Sequence, residues 1–139
     1  MLYSPTLLAI IEKTPTIKNF RGVFAADEVP LLNSDCSLIV NTDPSFLPGE
    51  HWIAIHVDKG QTKVFDSFGF PPPLFITEKS AFNVSFNPNL IQHPLSDSCG
   101  LFCIVFLTAS NGGHLNNFFD TFSGDPRDNK TKLLDLFDP

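Results

Sequence analysis

The stretch Gln92-His93-Pro94-Leu95-Ser96-Asp97-Ser98-Cys99-Gly100-Leu101-Phe102-Cys103 decides how this chain is read, because it passes from polar loop to apolar helix at a cysteine. Residues 101–109 are apolar on all sides and follow Ser96-Asp97-Ser98, residue types that cap helices, so the pattern predicts a buried helix whose first turn carries Cys99. A cysteine attacks a carbonyl well only as thiolate. At neutral pH that form needs an imidazole partner, the positive end of a helix, or both, and Cys99 is placed to have both.

Upstream, Gly49-Glu50-His51-Trp52-Ile53-Ala54 opens an alternating segment, 51–57, that predicts a half-buried strand. Asp66, in Val64-Phe65-Asp66-Ser67-Phe68-Gly69-Phe70, ends a second short apolar segment, 63–65. Two adjacent strands can bring these side chains together. His51 then serves as general base and later acid, and Asp66 accepts from the other ring nitrogen to fix tautomer and orientation. Gln92, seven residues before Cys99, carries an amide able to donate to a developing oxyanion beside the backbone N–H of Cys99. Trp52 reads as a substrate-side wall over His51 that limits water access, with a plain core aromatic as the competing reading. Taken singly, each residue has an ordinary explanation: a buried structural thiol, a strand-edge histidine, a turn aspartate before Ser67 and Gly69, an amide in a polar stretch. None of these explains the ordered set.

The set resembles the adenovirus endopeptidase (adenain-type) cysteine proteases. Their motifs are a His-Trp pair, an acidic residue followed by a Phe-Gly-Phe run, and a Gln seven residues ahead of a Cys-Gly-Leu-Phe-Cys helix start; each stands here in that order. Leu38-Ile39-Val40-Asn41-Thr42 and residues 8–13 and 19–24 are similar to that family's N-terminal region, so the resemblance covers roughly residues 5–110. It implies His51 as base, Asp66 as third member, Gln92 as oxyanion donor and Cys99 as nucleophile. The acid is Asp where the viral enzyme typically has Glu, so the shorter side chain must sit closer to the ring. The resemblance also implies activation by a viral peptide tethered through a disulfide, and by DNA. This chain has no cysteine between Asp66 and Cys99 to make such a tether. Its net charge of −6 and scattered Lys and Arg argue against DNA activation.

Composition agrees with one intracellular enzyme domain spanning 1–139. Hydrophobic content of 42% with 15 Phe supplies a core. No stretch reaches the roughly 18 apolar residues that span a bilayer, and no basic flank precedes an apolar signal region, so a soluble, unexported protein with no membrane partner is expected. A host nucleus or virion is what the resemblance implies. Three cysteines, an odd count, fit a reducing compartment and a free thiol. No metal site or cofactor is expected, since Cys99 and Cys103 lie one turn apart and His93 lacks paired spacing. Cys103 and Cys36 read as packed thiols.

Ser4-Pro5 before Leu7, Leu8, Ile10 and Ile11 predicts an opening helix. Strands are predicted at 19–24, 37–41, 51–57, 62–65 and 82–86, with Pro71-Pro72-Pro73 forcing an extended connection. Leu115, Phe118, Phe119 and Phe122 mark one helix face, and Leu133, Leu134 and Phe137 a short last helix. The fold class is α+β, a mixed or antiparallel sheet on a buried helix carrying Cys99 at its N-terminus, as the resemblance also implies. Three functions follow. The first is an endopeptidase maturing precursor proteins of a virus or virus-like element at Gly-Gly or other small-residue sites, acting on protein or peptide. The second is a deconjugating protease for SUMO-like or ubiquitin-like modifiers; the third is a catalytically silent interaction module.

Overall fold

Runs rich in Val, Ile and Phe pair into a five-stranded sheet whose strands lie side by side in chain order. The computed structural model describes residues 4–46, 51–93, 98–122 and 124–137. The strands are β1 (Phe20–Phe24), β2 (Cys36–Asn41), β3 (Trp52–Asp58), β4 (Gln61–Phe65) and β5 (Asn83–Phe86). β2, β3 and β4 are antiparallel neighbours, whereas β1 lies parallel to β2 and β5 parallel to β4, so the sheet is mixed. All five sequence-predicted strands are present, with boundaries within one residue.

β3 departs from the reading in its burial. It was expected to be half-buried, yet its first six residues are all buried. The reason is that the sheet has an apolar layer on both faces. Trp52 and Ala54 join Ile39 and Phe65 beneath the helices, while Ile53, Ile55 and Val57 pack with Leu38, Val40 and Val64 in a second cluster on the other face. Val29, Leu32 and Ile76 cover that second cluster. Ile76 comes from a four-residue helix, α2 (Leu74–Thr77), that the proline run concealed.

On the first face lies α3 (Cys99–Gly112), which carries Cys99 in its first turn and runs three residues past the apolar run 101–109. It packs on β3 and ends at Gly113, whose φ of 75° is the left-handed conformation that suits glycine. Ser98 occupies the cap position, but without the expected side-chain cap; its carbonyl accepts from the Phe102 N–H at 3.1 Å. Ser96 and Asp97, the other expected caps, lie outside the described residues. Around α3 gather α1 (Ser4–Glu12), α4 (Leu115–Thr121) and α5 (Asn129–Phe137). They contribute Leu7 and Ile11, Phe118, and Leu133 respectively to the core. Leu134, expected on the same inward face as Leu133, is exposed instead. Phe65 ties the sheet to these helices, stacked on Phe106 at 4.8 Å and edge-on to Phe118 at 5.4 Å. Among the described residues no helix is long and apolar enough to cross a membrane.

Candidate active site

A tight hairpin sets the first part of the site. Lys59 and Gly60 both have positive φ, 52° and 74°, and link the paired residues Asp58 and Gln61 in a two-residue turn. That turn fixes the register in which Ala54 faces Phe65. Carried past the end of the ladder, the same register brings His51 opposite Phe68, with Asp66 one diagonal step away. The side chains meet accordingly. His51 Nε2 lies 2.7 Å from Asp66 Oδ1, and the Phe68 ring stacks on the imidazole with centroids 4.4 Å apart.

An ionised carboxylate can only accept, so Nε2 carries the proton toward Asp66. That leaves Nδ1 as the ring nitrogen available to a nucleophile, and Cys99 is near enough to raise the His51 pKa. Burial pulls the imidazolium down, but the hydrogen bonds to Asp66 and Cys99 and the charges of both outweigh it and hold His51 up at about 9. Cys99 is the first residue of α3, where backbone N–H groups point toward the helix start. All three cysteines are buried and free. Burial, and then the charges of Cys99 and Asp66, push the Cys103 thiol well up; burial likewise raises Cys36. Both fit packed, unreactive thiols.

Gln92 is only 1% exposed and is tied to the residue after Asp66. The N–H groups of Ile91 and Gln92 both donate to the Ser67 carbonyl, at 2.8 and 2.9 Å, and Ser67 Oγ donates to Gln92 Oε1 at 2.5 Å. An amide held by its oxygen turns its NH₂ end away from Ser67. The turn itself is locked: Asp66 Oδ1 accepts from the Phe68 N–H at 2.8 Å, and the Asp66 carbonyl from the Gly69 N–H at 2.8 Å. Gly69 has φ +79°, and a Cβ there would lie 2.6 Å from the Pro88 carbonyl oxygen. The Asp66 turn and the segment leading to Gln92 therefore touch backbone to backbone.

The structure thus brings His51, Asp66 and Cys99 together, with His51 hydrogen-bonded to Asp66 and Cys99 close enough to act on its charge. Gln92 is anchored to that group through Ser67. Trp52, at 5% exposed, is packed in the core beneath α3 and offers substrate little surface. The aromatic surface near His51 comes from Phe68 and from Phe70, which lies 6.3 Å from Phe68 and is exposed. Sequence reasoning singled out neither as a functional residue, nor Ser67; Ser67 had no signal beyond adjacency to Asp66. Among the described residues no group of three or more His, Cys, Asp or Glu side chains could hold a metal ion.

No family model matches the chain, and no curated protein does. Solved structures do. The ASFV pS273R protease aligns over 70% of this chain and 41% of its own, at 21% identity and a TM-score of 0.50. Its selenomethionine form aligns over 70% and 43%, at 22% identity and a TM-score of 0.46. An AvrA deletion variant with IP6 and CoA aligns over 96% of this chain and 58% of its own, at 19% identity and a TM-score of 0.42. The chain thus shares its mixed α+β fold with the ASFV protease while spanning less than half that protein's length.

Proposed function

We propose that this chain is a cysteine endopeptidase of the adenovirus-maturation type, acting on precursor proteins of a virus or virus-like element. The observation that carries this reading is the row Asp66–His51–Cys99, with 2.7 Å between Asp66 Oδ1 and His51 Nε2 and the nucleophile at a helix start. With His51 held charged to about 9, its imidazolium supplies the positive partner that a cysteine nucleophile needs. The thiolate attacks the scissile carbonyl, and the oxyanion takes hydrogen bonds from the Cys99 N–H and the Gln92 amide. His51 Nδ1 gives its proton to the departing amine. The same nitrogen then takes a proton from water, which hydrolyses the thioester and restores the thiol pair.

The fold shared with a viral protease supports the reading, as does the ordered set of motifs that resembles the adenovirus enzyme. Preference for Gly-Gly or small residues rests on that resemblance, and the Phe68 ring stacked on His51 lays an aromatic surface beside the site. The test is a library of internally quenched peptides with Gly-Gly inside the sequence, offered beside folded SUMO and ubiquitin fusions. Cleavage of peptides by the purified chain but not by Cys99→Ala is expected. Release of a folded modifier with kcat/KM far above that for the matching peptide would move the chain to the deconjugating class, because such enzymes draw binding from the modifier's folded surface. An unreactive Cys99 with no cleavage of either would leave an interaction module.

A further inference from the structure

The peptide segment that presents Gln92 is held from two sides by buried residues. Ser67 takes both N–H groups of residues 91 and 92 on its carbonyl and places its hydroxyl on Gln92 Oε1. From the opposite end of the chain, Asn129 Nδ2 donates to the Ile91 carbonyl oxygen at 2.9 Å. Ser67 and Asn129 are both wholly buried. A buried carbonyl must find a donor, and a donor from 38 residues away fixes that peptide relative to the rest of the molecule rather than to its own loop. Asn129 opens α5, beyond the stretch that resembles the viral enzymes.

Resting on the oxyanion role proposed for Gln92, we infer that Ser67 and Asn129 are positioning residues that hold the Gln92 amide in place opposite Cys99, so that α5 is part of the catalytic apparatus. Stabilising an oxyanion depends on donors fixed before the charge develops, and a shift of about 1 Å in such a donor can cost about a hundredfold in rate. Loosening either anchor should therefore slow turnover without weakening substrate binding or disturbing the Cys99–His51 pair.

The test compares peptide hydrolysis with iodoacetamide alkylation of Cys99, a reaction that needs the thiolate but forms no oxyanion. Asn129→Ala and Ser67→Ala are each expected to lower kcat about tenfold with KM within about twofold, and to leave the alkylation rate unchanged. In a Gln92→Ala background, Asn129→Ala should cost no more than about a further twofold. Independent, multiplicative losses in that double variant, or a matching fall in alkylation, would show a general structural role and overturn the inference. Where Asn129→Ala fails to fold, Asn129→Leu fills the volume without the donor, and Ser67→Ala keeps the backbone bonds but frees the Gln92 side-chain oxygen. A normal alkylation rate with full kcat in Gln92→Ala would remove the oxyanion role and this inference with it. A wild-type Cys99 that neither alkylates nor turns over would instead sink the protease reading itself.

Discussion

Two histidines stand five residues apart around β3, both nearly buried, and their surroundings set them to opposite tasks. His51 has a carboxylate on Nε2 and a cysteine near enough to act on its charge, and is held charged to about 9. His56 sits in the middle of the strand with Ser37 Oγ 3.0 Å from its Nδ1. Asn111 Nδ2 donates to that same Ser37 oxygen at 3.1 Å and to the Leu107 carbonyl at 2.7 Å. While it accepts from Asn111, Ser37 Oγ can still donate its own proton to the Nδ1 of a neutral His56 ring. Burial is the main cause that lowers the pKa of His56, with Lys63 adding to it and Asp58 and Asp35 opposing. A serine beside a histidine is therefore no active site here. Ser37 is 0% exposed, and among the described residues no carboxylate makes a hydrogen bond or ion pair with the His56 ring.

The comparison breaks most easily at its strongest end. His51→Ala and Cys99→Ala should each cut peptide hydrolysis by about 10⁴-fold or more, and the double variant should be little worse than either, because the two act as a unit. Ser37→Ala should stay within about fivefold of the parent. A kinetic assay on matched protein concentrations decides it. If Ser37→Ala were as inactive as Cys99→Ala, the two pairs would have been assigned the wrong way round.

Next in size is Asp66→Asn, expected to lower kcat/KM about a hundredfold. The amide oxygen can still accept from the ring, but it no longer stabilises the imidazolium. His51 should then lose its proton at lower pH. The alkaline limb of peptide hydrolysis, where His51 loses the proton it gives to the leaving amine, is expected near about 9 and should move down toward 6.5. An unmoved limb would mean that Asp66 does not set the charge on His51.

The five strands were legible because short apolar runs broken by glycine and proline leave little choice of element. The Cys99 helix was legible for its unbroken apolar length. Burial of β3 on both faces was not, because what covers the second face is the 29–32 segment and α2, and neither has a periodic signal of its own. The residue types of the site could be read along the chain, since His51, Asp66 and Cys99 have chemistry visible in one dimension. The parts that hold them could not. Ser67 and Asn129 are ordinary polar residues until the chain brings residue 129 against residue 91, and Phe68 faces His51 only once the hairpin register is known.

Gly69→Ala sharpens the same contrast from the side of the turn. The new methyl would meet the Pro88 carbonyl oxygen at 2.6 Å in a backbone held at φ +79°, so Asp66 and the segment leading to Gln92 must part. A loss of about 1–3 kcal/mol in stability is expected, together with a larger fall in activity than the fall in folded fraction explains. Gly60→Ala, at φ +74° but with open space around its Cβ, should cost less stability and little activity. Equal effects of the two, measured by denaturant titration and peptide hydrolysis, would show that the contact near Pro88 does not matter to the site.

The smallest effect is on the pH dependence of stability, where the two histidines should act at opposite ends. His56 resists protonation in the fold, so the stability present above its unfolded value of 6.5 is lost as pH falls through the lower folded value. His51 is raised. Its contribution is fully present below 6.5 and is lost as pH rises through about 9. Thermal melts across about pH 5 to 10 should show His56→Gln flattening only the acid arm, since a glutamine keeps polar contact with Ser37 but takes up no proton, and Asp66→Asn flattening only the alkaline arm. Each change should amount to about 1–3 °C in Tm. An acid arm that survived in His56→Gln would place that proton uptake elsewhere, and the neutral Ser37–His56–Asn111 cluster would lose its part in the contrast.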